Sequence, residues 1–175
     1  MKVYLACGLT HVPREEFSGY VDFIHGLASY LERTLNVKVK YALRDSDPQL
    51  ADKPLADRAR LCYLWDREMV EWADVVVADA SHPSTGMGIE MQIACSNEIP
   101  IIIAFQVNEK HKAAPVKYET PDAKKHELQL GDGYITLMAL GIPSIFKVLP
   151  YASSSEAYDL IATAVRTLRK PGKSA

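Results

Sequence analysis

The chain of 175 residues has few cysteines and no recognisable metal-ligand spacing. Its three cysteines, Cys7, Cys62 and Cys95, form neither a CxxC pair nor an even set. This pattern predicts reduced thiols of a cytoplasmic protein rather than a disulfide framework. The five histidines include no HxxxH pair. The sequence therefore predicts no metal site and no other cofactor.

An excess of charge of one sign is also missing, as are long apolar runs. The net charge is -2, from 20 basic and 22 acidic residues, and this balance predicts neither nucleic-acid binding nor attraction to a membrane surface. No apolar run approaches the roughly 20 residues that cross a bilayer. The first residues, "MKVYLACGL", resemble a strand more than a signal peptide. We therefore expect a cytoplasmic protein that binds no nucleic acid and no membrane.

What the sequence does have is a regular alternation of strand-like and helix-like segments. Apolar runs or alternating residues predict strands over 2–7, 37–42, 73–79, 99–105 and 143–149. Apolar residues at helical spacing and capping signals predict helices over 14–34, 55–72, 86–97 and 153–168. The pattern predicts a single-domain α/β fold over 1–175, a flavodoxin-like or Rossmann-like three-layer sandwich with a five-stranded parallel sheet. Ligands of such sheets bind beyond the carboxyl ends of the strands.

Three segments lie outside this pattern. Residues 44–54, "RDSDPQLADKP", are charged and rich in turn formers, which predicts a loop. Residues 106–133 are polar and unusually long for a loop, so they are either a lid over a site or a mobile solvated segment. The last residues, 170–175, are predicted to be a disordered tail.

The segment "ADASHPSTGMGIEMQIA", residues 78–94, follows a predicted strand and contains Glu90. Gly86 and Gly88 permit tight turning and close approach of a ligand, and Ser84 or Thr85 is a suitable N-cap for the next helix. Glu90 would then lie in about the first turn, where the helix dipole favours an ionised carboxylate that could serve as a nucleophile. Acidic residues are common in first turns for this reason alone, so Glu90 by itself is better explained as stabilising the helix.

A second carboxylate changes this balance. Asp66 lies on the preceding predicted helix, and that helix leads into the strand that Asp79 closes. Two carboxylates near one site can divide the roles of nucleophile and acid, as they do in retaining glycosidic chemistry. Taken alone, Asp66 is better explained as a partner of Arg67 or as part of a solvated helix face.

The residues "VYLACG" near the start and "WDREMVEWADVVVADASHPSTGMGIEMQIA" over 65–94 resemble the nucleoside 2-deoxyribosyltransferase superfamily. The branch that they resemble most is the 2′-deoxynucleoside 5′-phosphate N-hydrolases. The shared pattern is a first strand with a Tyr, a helical Asp, an A-D-V-V-V-A strand and then P-S-x-G-x-G-x-E. The resemblance covers roughly residues 2–105, with a faint continuation at "ITLMALG".

This resemblance implies roles for individual residues. Glu90 matches the glutamate that attacks the anomeric carbon, Asp66 matches the acid that assists departure of the base, and Tyr4 matches an active-site tyrosine. Ser84 matches the serine that holds the 5′-phosphate in the hydrolase branch, and a serine at a helix N-terminus suits a phosphate. Gly86 and Gly88 fall in the same substrate-binding turn.

The resemblance also implies a homodimer or larger assembly. The chain departs from the pattern of the hydrolase branch in one place, the turn after the first strand. Thr136 and Met138 resemble residues that the family contributes to the site of a neighbouring subunit. The hydrolase branch has a Gly-Ser-x-Arg turn after its first strand, whereas this chain has Cys7-Gly8-Leu9-Thr10. Gly8 and Thr10 remain candidate substrate-binding residues, but the phosphate-binding Ser and Arg are missing.

Two classes of function follow from the sequence. The first is an enzyme that cleaves the N-glycosidic bond of a (deoxy)nucleoside or its 5′-monophosphate through a covalent glycosyl-Glu90 intermediate, without a metal. Water or a second base would resolve that intermediate, giving a hydrolase or a transferase of nucleotide salvage. The alternative is a non-catalytic nucleotide-binding or sensing module on the same fold. The presence of both Asp66 and Glu90 favours the enzyme.

Overall fold

The computed structural model describes residues 1–169, and the predicted tail at 170–175 lies outside them. Its centre is a parallel sheet of five strands: β1 (Lys2–Cys7), β2 (Lys38–Lys40), β3 (Val75–Asp79), β4 (Ile101–Gln106) and β7 (Ile145–Tyr151). Their order across the sheet is β2-β1-β3-β4-β7, which is the flavodoxin-like order. The predicted α/β class and the five-stranded parallel sheet are both confirmed.

Helices cover both faces of the sheet, as parallel strands require. The main helices are α1 (Arg14–Leu35), α4 (Leu55–Trp72), α5 (Thr85–Ser96) and α7 (Ser154–Leu168). One core cluster joins α1 and α7 to the sheet, and a second joins α4 and α5 to the opposite face. All five residues of β3 are buried, which agrees with its position at the centre.

The segment predicted to be a charged loop is partly helical instead. It includes the second half of α2 (Ala42–Asp45) and all of α3 (Asp47–Leu50), each four residues long. Their ends are held locally, since the backbone N–H of Tyr41 donates to Asp45 Oδ2 at 3.0 Å. Turn-forming composition does not distinguish such single helical turns from irregular loop.

The long polar segment at 106–133 has structure of its own. It carries an antiparallel pair of short strands, β5 (Lys117–Glu119) and β6 (Lys125–Glu127). Every residue of both strands is exposed, and the pair forms a sheet separate from the main one. A short helix, α6 (Leu137–Leu140), then leads back towards β7. None of the helices in residues 1–169 is long and apolar enough to cross a membrane.

Candidate active site

The candidate site forms where β1 and β3 end side by side. The two strands are paired in parallel, with Tyr4 beside Val76 and Cys7 beside Asp79. Their carboxyl ends therefore meet at one edge of the sheet, next to the start of α5. This is the edge at which ligands of open α/β sheets bind.

Tyr4 and Glu90 are in direct contact. The Tyr4 hydroxyl donates a hydrogen bond to Glu90 Oε1 at 2.7 Å. Tyr4 is 1% exposed, and burial together with the charge of Glu90 raises the pKa of its phenol well above the usual value. The phenol therefore stays protonated and acts as a donor to the carboxylate. The sequence pairs these residues only through the family resemblance, because 86 positions separate them.

The ionisation of Glu90 differs from the sequence-based expectation. Helix α5 begins at Thr85, so Glu90 lies in its second turn, beyond the part where the dipole acts most strongly. Burial raises the pKa of Glu90 to about 7, the Tyr4 hydrogen bond lowers it, and the charge of Asp66 raises it further. The sequence suggested that the helix dipole favours the ionised form of Glu90, whereas burial favours the neutral form. A carboxylate with this pKa is only partly ionised at neutral pH.

Asp66 is held on α4 by two donors that the sequence analysis missed. The Ser46 hydroxyl donates to Asp66 Oδ1 at 2.7 Å, and the Cys62 thiol donates to Oδ2 at 3.4 Å. Ser46 is 1% exposed and lies between the short helices α2 and α3. Arg67 pairs with Glu71 at 2.7 Å, so Asp66 is not its partner. The two donors orient the Asp66 carboxyl on the α4 side of the site.

Asp79 is buried in a complete hydrogen-bond network. It accepts from the Tyr20 hydroxyl at 3.0 Å, from the Tyr151 hydroxyl at 2.7 Å and from the Ser81 backbone N–H at 3.3 Å. Burial raises its pKa, and these three donors act against that shift. Each oxygen has a protein partner, so Asp79 joins β3 to α1 and β7.

Cys7 is not a nucleophile in this arrangement. Burial raises the pKa of its thiol, and the charges of Glu90, Asp79 and Asp66 raise it further. The reactive form of cysteine is the thiolate. The thiol thus stays protonated and unreactive.

The turn between β3 and α5 is anchored by Ser84 and packed against Gly8. Ser84 is the N-cap of α5, and its Oγ accepts from the Met87 backbone N–H at 3.1 Å. A Cβ on Gly8 would lie 2.9 Å from the His82 carbonyl oxygen and 3.0 Å from Ser84 Cβ. Gly8 therefore allows close packing of the first loop on this turn. A Cβ on Gly88 would have no such neighbour within 4 Å.

A cavity of about 530 Å³ opens beside the N-terminus of α5. Ser84, Met87 and Met91 form its wall on the helix side, and Leu128 and Leu130 close it from the 106–133 segment. Part of that segment is therefore one wall of the cavity. Tyr4, Asp66 and Glu90 do not line this cavity. Helix α5 contributes to both places, through Met87 to the cavity and through Glu90 to the carboxylate pair.

The remaining predicted site residues are spread more widely. Thr136 lines the cavity and caps α6 by accepting from the Ala139 backbone N–H at 3.3 Å. Met138 is 91% exposed and points away from the protein. Gly86 and Thr10 are exposed, and Thr10 lies in the loop after β1. The structure thus brings together Tyr4 and Glu90, with Asp66 close enough for its charge to act on both, and it leaves Thr10 and Met138 at the surface.

No family model and no curated protein sequence matches the chain. Solved structures do match it. The structure of a CMP N-glycosidase from Clostridium botulinum is 17% identical, with a TM-score of 0.55, and the match covers 93% of this chain and 98% of that one. A conserved protein from Enterococcus faecalis V583 is 15% identical, with the same TM-score and the same coverage. At this identity the comparison establishes a shared fold over nearly the whole chain.

A third solved structure matches less of the chain. It is a 2-deoxyribosyltransferase from Bacillus psychrosaccharolyticus, 20% identical over 60% of this chain and 72% of that one. Its TM-score of 0.46 is too low to support a shared fold. The fold predicted from the sequence is therefore confirmed through the first two structures.

Proposed function

We propose that this chain is an enzyme of the nucleoside 2-deoxyribosyltransferase superfamily. In this proposal it cleaves the N-glycosidic bond of a nucleoside or nucleoside 5′-monophosphate. The fold it shares with a CMP N-glycosidase supports the proposal, as do the motifs at Tyr4, Asp66 and 84–90. The proposal concerns the reaction class, and either water or a second base completes the reaction.

The contact between Tyr4 and Glu90 carries the proposal. A nucleophilic carboxylate needs a fixed orientation and a free oxygen that can reach the substrate. The Tyr4 hydroxyl donates a hydrogen bond to Glu90 Oε1 at 2.7 Å, which fixes that oxygen. Glu90 Oε2 accepts no hydrogen bond from the described residues. Thr85, Gly86, Gly88 and Ile89, in the same half of α5, are exposed, whereas Met87 is buried. A helix-stabilising glutamate would point into solvent and would not need a buried tyrosine.

The reaction then follows from the two carboxylates. Ionised Glu90 attacks C1′ of the sugar, and the bond between C1′ and the base nitrogen breaks with its electrons moving to the base. Asp66 delivers a proton to the departing base, which releases it as a neutral molecule. Asp66 next takes a proton from water or from an incoming base as that group attacks C1′ and displaces Glu90. Two displacements at one carbon retain its configuration.

Ser84 and the N-terminus of α5 are the proposed site for a 5′-phosphate. Ser84 Oγ accepts at the helix cap, which leaves the hydroxyl proton free to donate to a phosphate oxygen. The first backbone N–H groups of α5 have no carbonyl partner within the helix and favour an anion. The first loop, Cys7-Gly8-Leu9-Thr10, lacks the Ser and Arg that the hydrolase branch has there. We therefore expect a modest preference for 5′-monophosphates over free nucleosides.

A substrate panel tests the proposal. Native protein is incubated with nucleosides and their 5′-monophosphates, CMP and its deoxy form among them, and the free base is measured by chromatography. A second base added to the same reactions reveals exchange products and separates a transferase from a hydrolase. Base released by native protein but not by Glu90→Gln would support the enzyme. No release from any member of the panel would contradict it.

The alternative of a nucleotide-sensing module makes a different prediction for the same panel. Such a module would bind a nucleotide in calorimetry with no base released over long incubation. It would also retain that affinity in Glu90→Gln and Asp66→Asn. The homodimer stays a prediction, and light scattering coupled to size-exclusion chromatography would measure it directly.

A further inference from the structure

Three side chains that the proposed reaction does not use converge at one edge of the cavity. They are Glu16 on α1, His82 in the turn before α5 and His111 in the 106–133 segment. His111 Nε2 lies 3.4 Å from Glu16 Oε2, and His82 Nε2 lies 3.9 Å from the same oxygen. One ligand atom from each residue lies within 4.8 Å of the other two.

These distances approach those of a tetrahedral metal site. Zinc binds imidazole nitrogen and carboxylate oxygen at about 2.0 to 2.1 Å, which places neighbouring ligand atoms about 3.3 to 3.4 Å apart in a tetrahedron. The pair formed by His111 and Glu16 already has this spacing. The pair formed by His82 and Glu16 needs a movement of about 0.5 Å. The two imidazole ligand atoms lie within 4.8 Å of each other, so they approach by up to about 1.4 Å, which changes of side-chain torsion supply.

A pure ion-pair network explains the cluster less well. The two imidazole rings are 4.9 Å apart between centroids, and two imidazolium ions at that distance would repel each other. His111 Nδ1 is buried without a hydrogen-bond partner among the described residues, so His111 contacts the cluster through Nε2. Two neutral rings and one carboxylate need no such protonation, and together they form a ligand set that zinc prefers.

The ring of His82 is held in place before any ion binds. It is 5% exposed and packs edge-on against the ring of Tyr20, with centroids 4.7 Å apart. His82 and His111 both line the cavity. A metal bound by three protein ligands keeps a fourth coordination position, and here that position would face the cavity.

We propose that Glu16, His82 and His111 bind one divalent transition-metal ion with the coordination preference of zinc. The ion joins the 106–133 segment to α1 and to the turn before α5, and it presents an open coordination position to the cavity. This inference does not depend on the proposed reaction.

Metal binding by the full chain tests this inference. Chelator-treated protein is titrated with Zn²⁺ by calorimetry, and with Co²⁺ while the visible absorption of tetrahedral cobalt is followed. We expect one ion per chain and an intense cobalt band. His111→Gln and Glu16→Gln should each weaken binding by about 100-fold or more, since loss of even an outer partner typically reduces metal affinity 10- to 100-fold.

His126→Gln is the matched control, because His126 lies on the same segment, is exposed and stacks on Tyr118 away from the cluster. Its affinity for Zn²⁺ should equal that of native protein. Hydrogen exchange measured by mass spectrometry adds a second readout besides affinity. Zn²⁺ should slow exchange of peptides from 107–116 in native protein and not in His111→Gln. Equal Zn²⁺ affinity in native protein and His111→Gln, or no tetrahedral cobalt band, would overturn the inference.

Discussion

Asp79 and Glu90 are two carboxylates near one edge of the sheet, and their surroundings differ. Asp79 receives three donors, the hydroxyls of Tyr20 and Tyr151 and the Ser81 backbone N–H. Glu90 receives a single donor from the described residues, the Tyr4 hydroxyl. Burial raises the pKa of both carboxyls. The difference lies in how much of each carboxylate the protein itself satisfies.

This comparison indicates which carboxylate is structural and which is available for chemistry. A buried polar group with all its partners in place stabilises the fold, and removing it leaves those partners unpaired. A carboxylate with one oxygen held and the other free is oriented but incomplete until a substrate arrives. Perturbed pKa values of this kind cluster at functional sites. The two regions should therefore respond in opposite ways to substitution.

The largest expected effect is on catalysis by the Glu90 region. Glu90→Gln keeps the shape of the side chain and its hydrogen bond from Tyr4 but removes the nucleophile. We expect base release to fall by about three orders of magnitude or more. The measurement is the rate of base release on the best substrate of the panel. Glu68→Gln, on the exposed side of α4, is the control, and near-native turnover by Glu90→Gln would rule out the nucleophile role.

Asp66→Asn should produce the next largest effect. An amide cannot transfer the proton that the departing base requires, and general acid catalysis contributes about 10²- to 10⁴-fold. The loss should be large for a poor leaving base and small for a good one that departs without help. Rates on two substrates that differ only in the base measure this ratio. The same fractional loss on both would contradict the acid role and favour a binding role.

The Asp79 region should respond through stability. Asp79→Ala leaves the Tyr20 and Tyr151 hydroxyls without their acceptor, and we expect a loss of about 2 to 4 kcal/mol in the free energy of unfolding. Urea unfolding followed by circular dichroism measures it. Base release per folded molecule should stay within about threefold of native, since the contact between Tyr4 and Glu90 is unchanged. An Asp79→Ala protein with native stability and no activity would mean that Asp79 serves the reaction and not the fold.

The sequence predicted the strands well because their signal is local. Val75–Val77 and Ile101–Ile103 are continuous apolar runs, and both are fully buried. The candidate nucleophile was also predictable, since Ser84, Gly86, Gly88 and Glu90 lie within one short stretch. The strand order needed the structure, because an alternating pattern fits both flavodoxin-like and Rossmann-like arrangements.

The features that the sequence did not predict depend on contacts between distant parts of the chain. Ser46 donates to Asp66 from a region whose composition predicts a loop. The high pKa of Glu90 arises from burial by neighbouring elements, whereas its position near a helix start suggested the opposite. Glu16, His82 and His111 come from three different elements. A search for metal ligands at fixed sequence spacing cannot find such a set.

The pH dependence of the free energy of unfolding should further distinguish the Glu90 region from the Asp79 region. Burial holds the pKa of Glu90 at about 7 in the folded protein, above its ordinary value of 4.5. Between pH 4.5 and 7 the unfolded chain loses a proton that the folded protein retains, so native stability falls as pH rises through this window. The Glu90→Gln protein does not lose stability in this way, because glutamine does not titrate. We expect equal stability near pH 4 and a gain of about 1 to 3 kcal/mol for the variant at pH 8.

Urea unfolding of both proteins at pH 4, 6 and 8 tests this dependence. The difference between native protein and Glu90→Gln should grow with pH and level off above pH 7. Glu68→Gln again serves as the control and should track native protein throughout. A Glu90→Gln protein that is less stable than native at pH 8 would mean that the ionised carboxylate stabilises the fold, as a structural residue does.

The smallest expected effect concerns Tyr4, whose hydrogen bond lowers the pKa of Glu90. In Tyr4→Phe this bond is lost and the pKa of Glu90 rises. The nucleophile acts in its ionised form, so the acid limb of the pH–rate profile should move upward by about one pH unit, equivalent to about 1.4 kcal/mol. Near pH 6 the rate falls about tenfold, while the plateau at high pH changes little if Tyr4 serves only Glu90. Tyr151→Phe is the control, because it removes a phenol that donates to Asp79, and it should leave the acid limb of the profile in place. An acid limb that does not move in Tyr4→Phe would mean that Tyr4 does not influence the ionisation of Glu90.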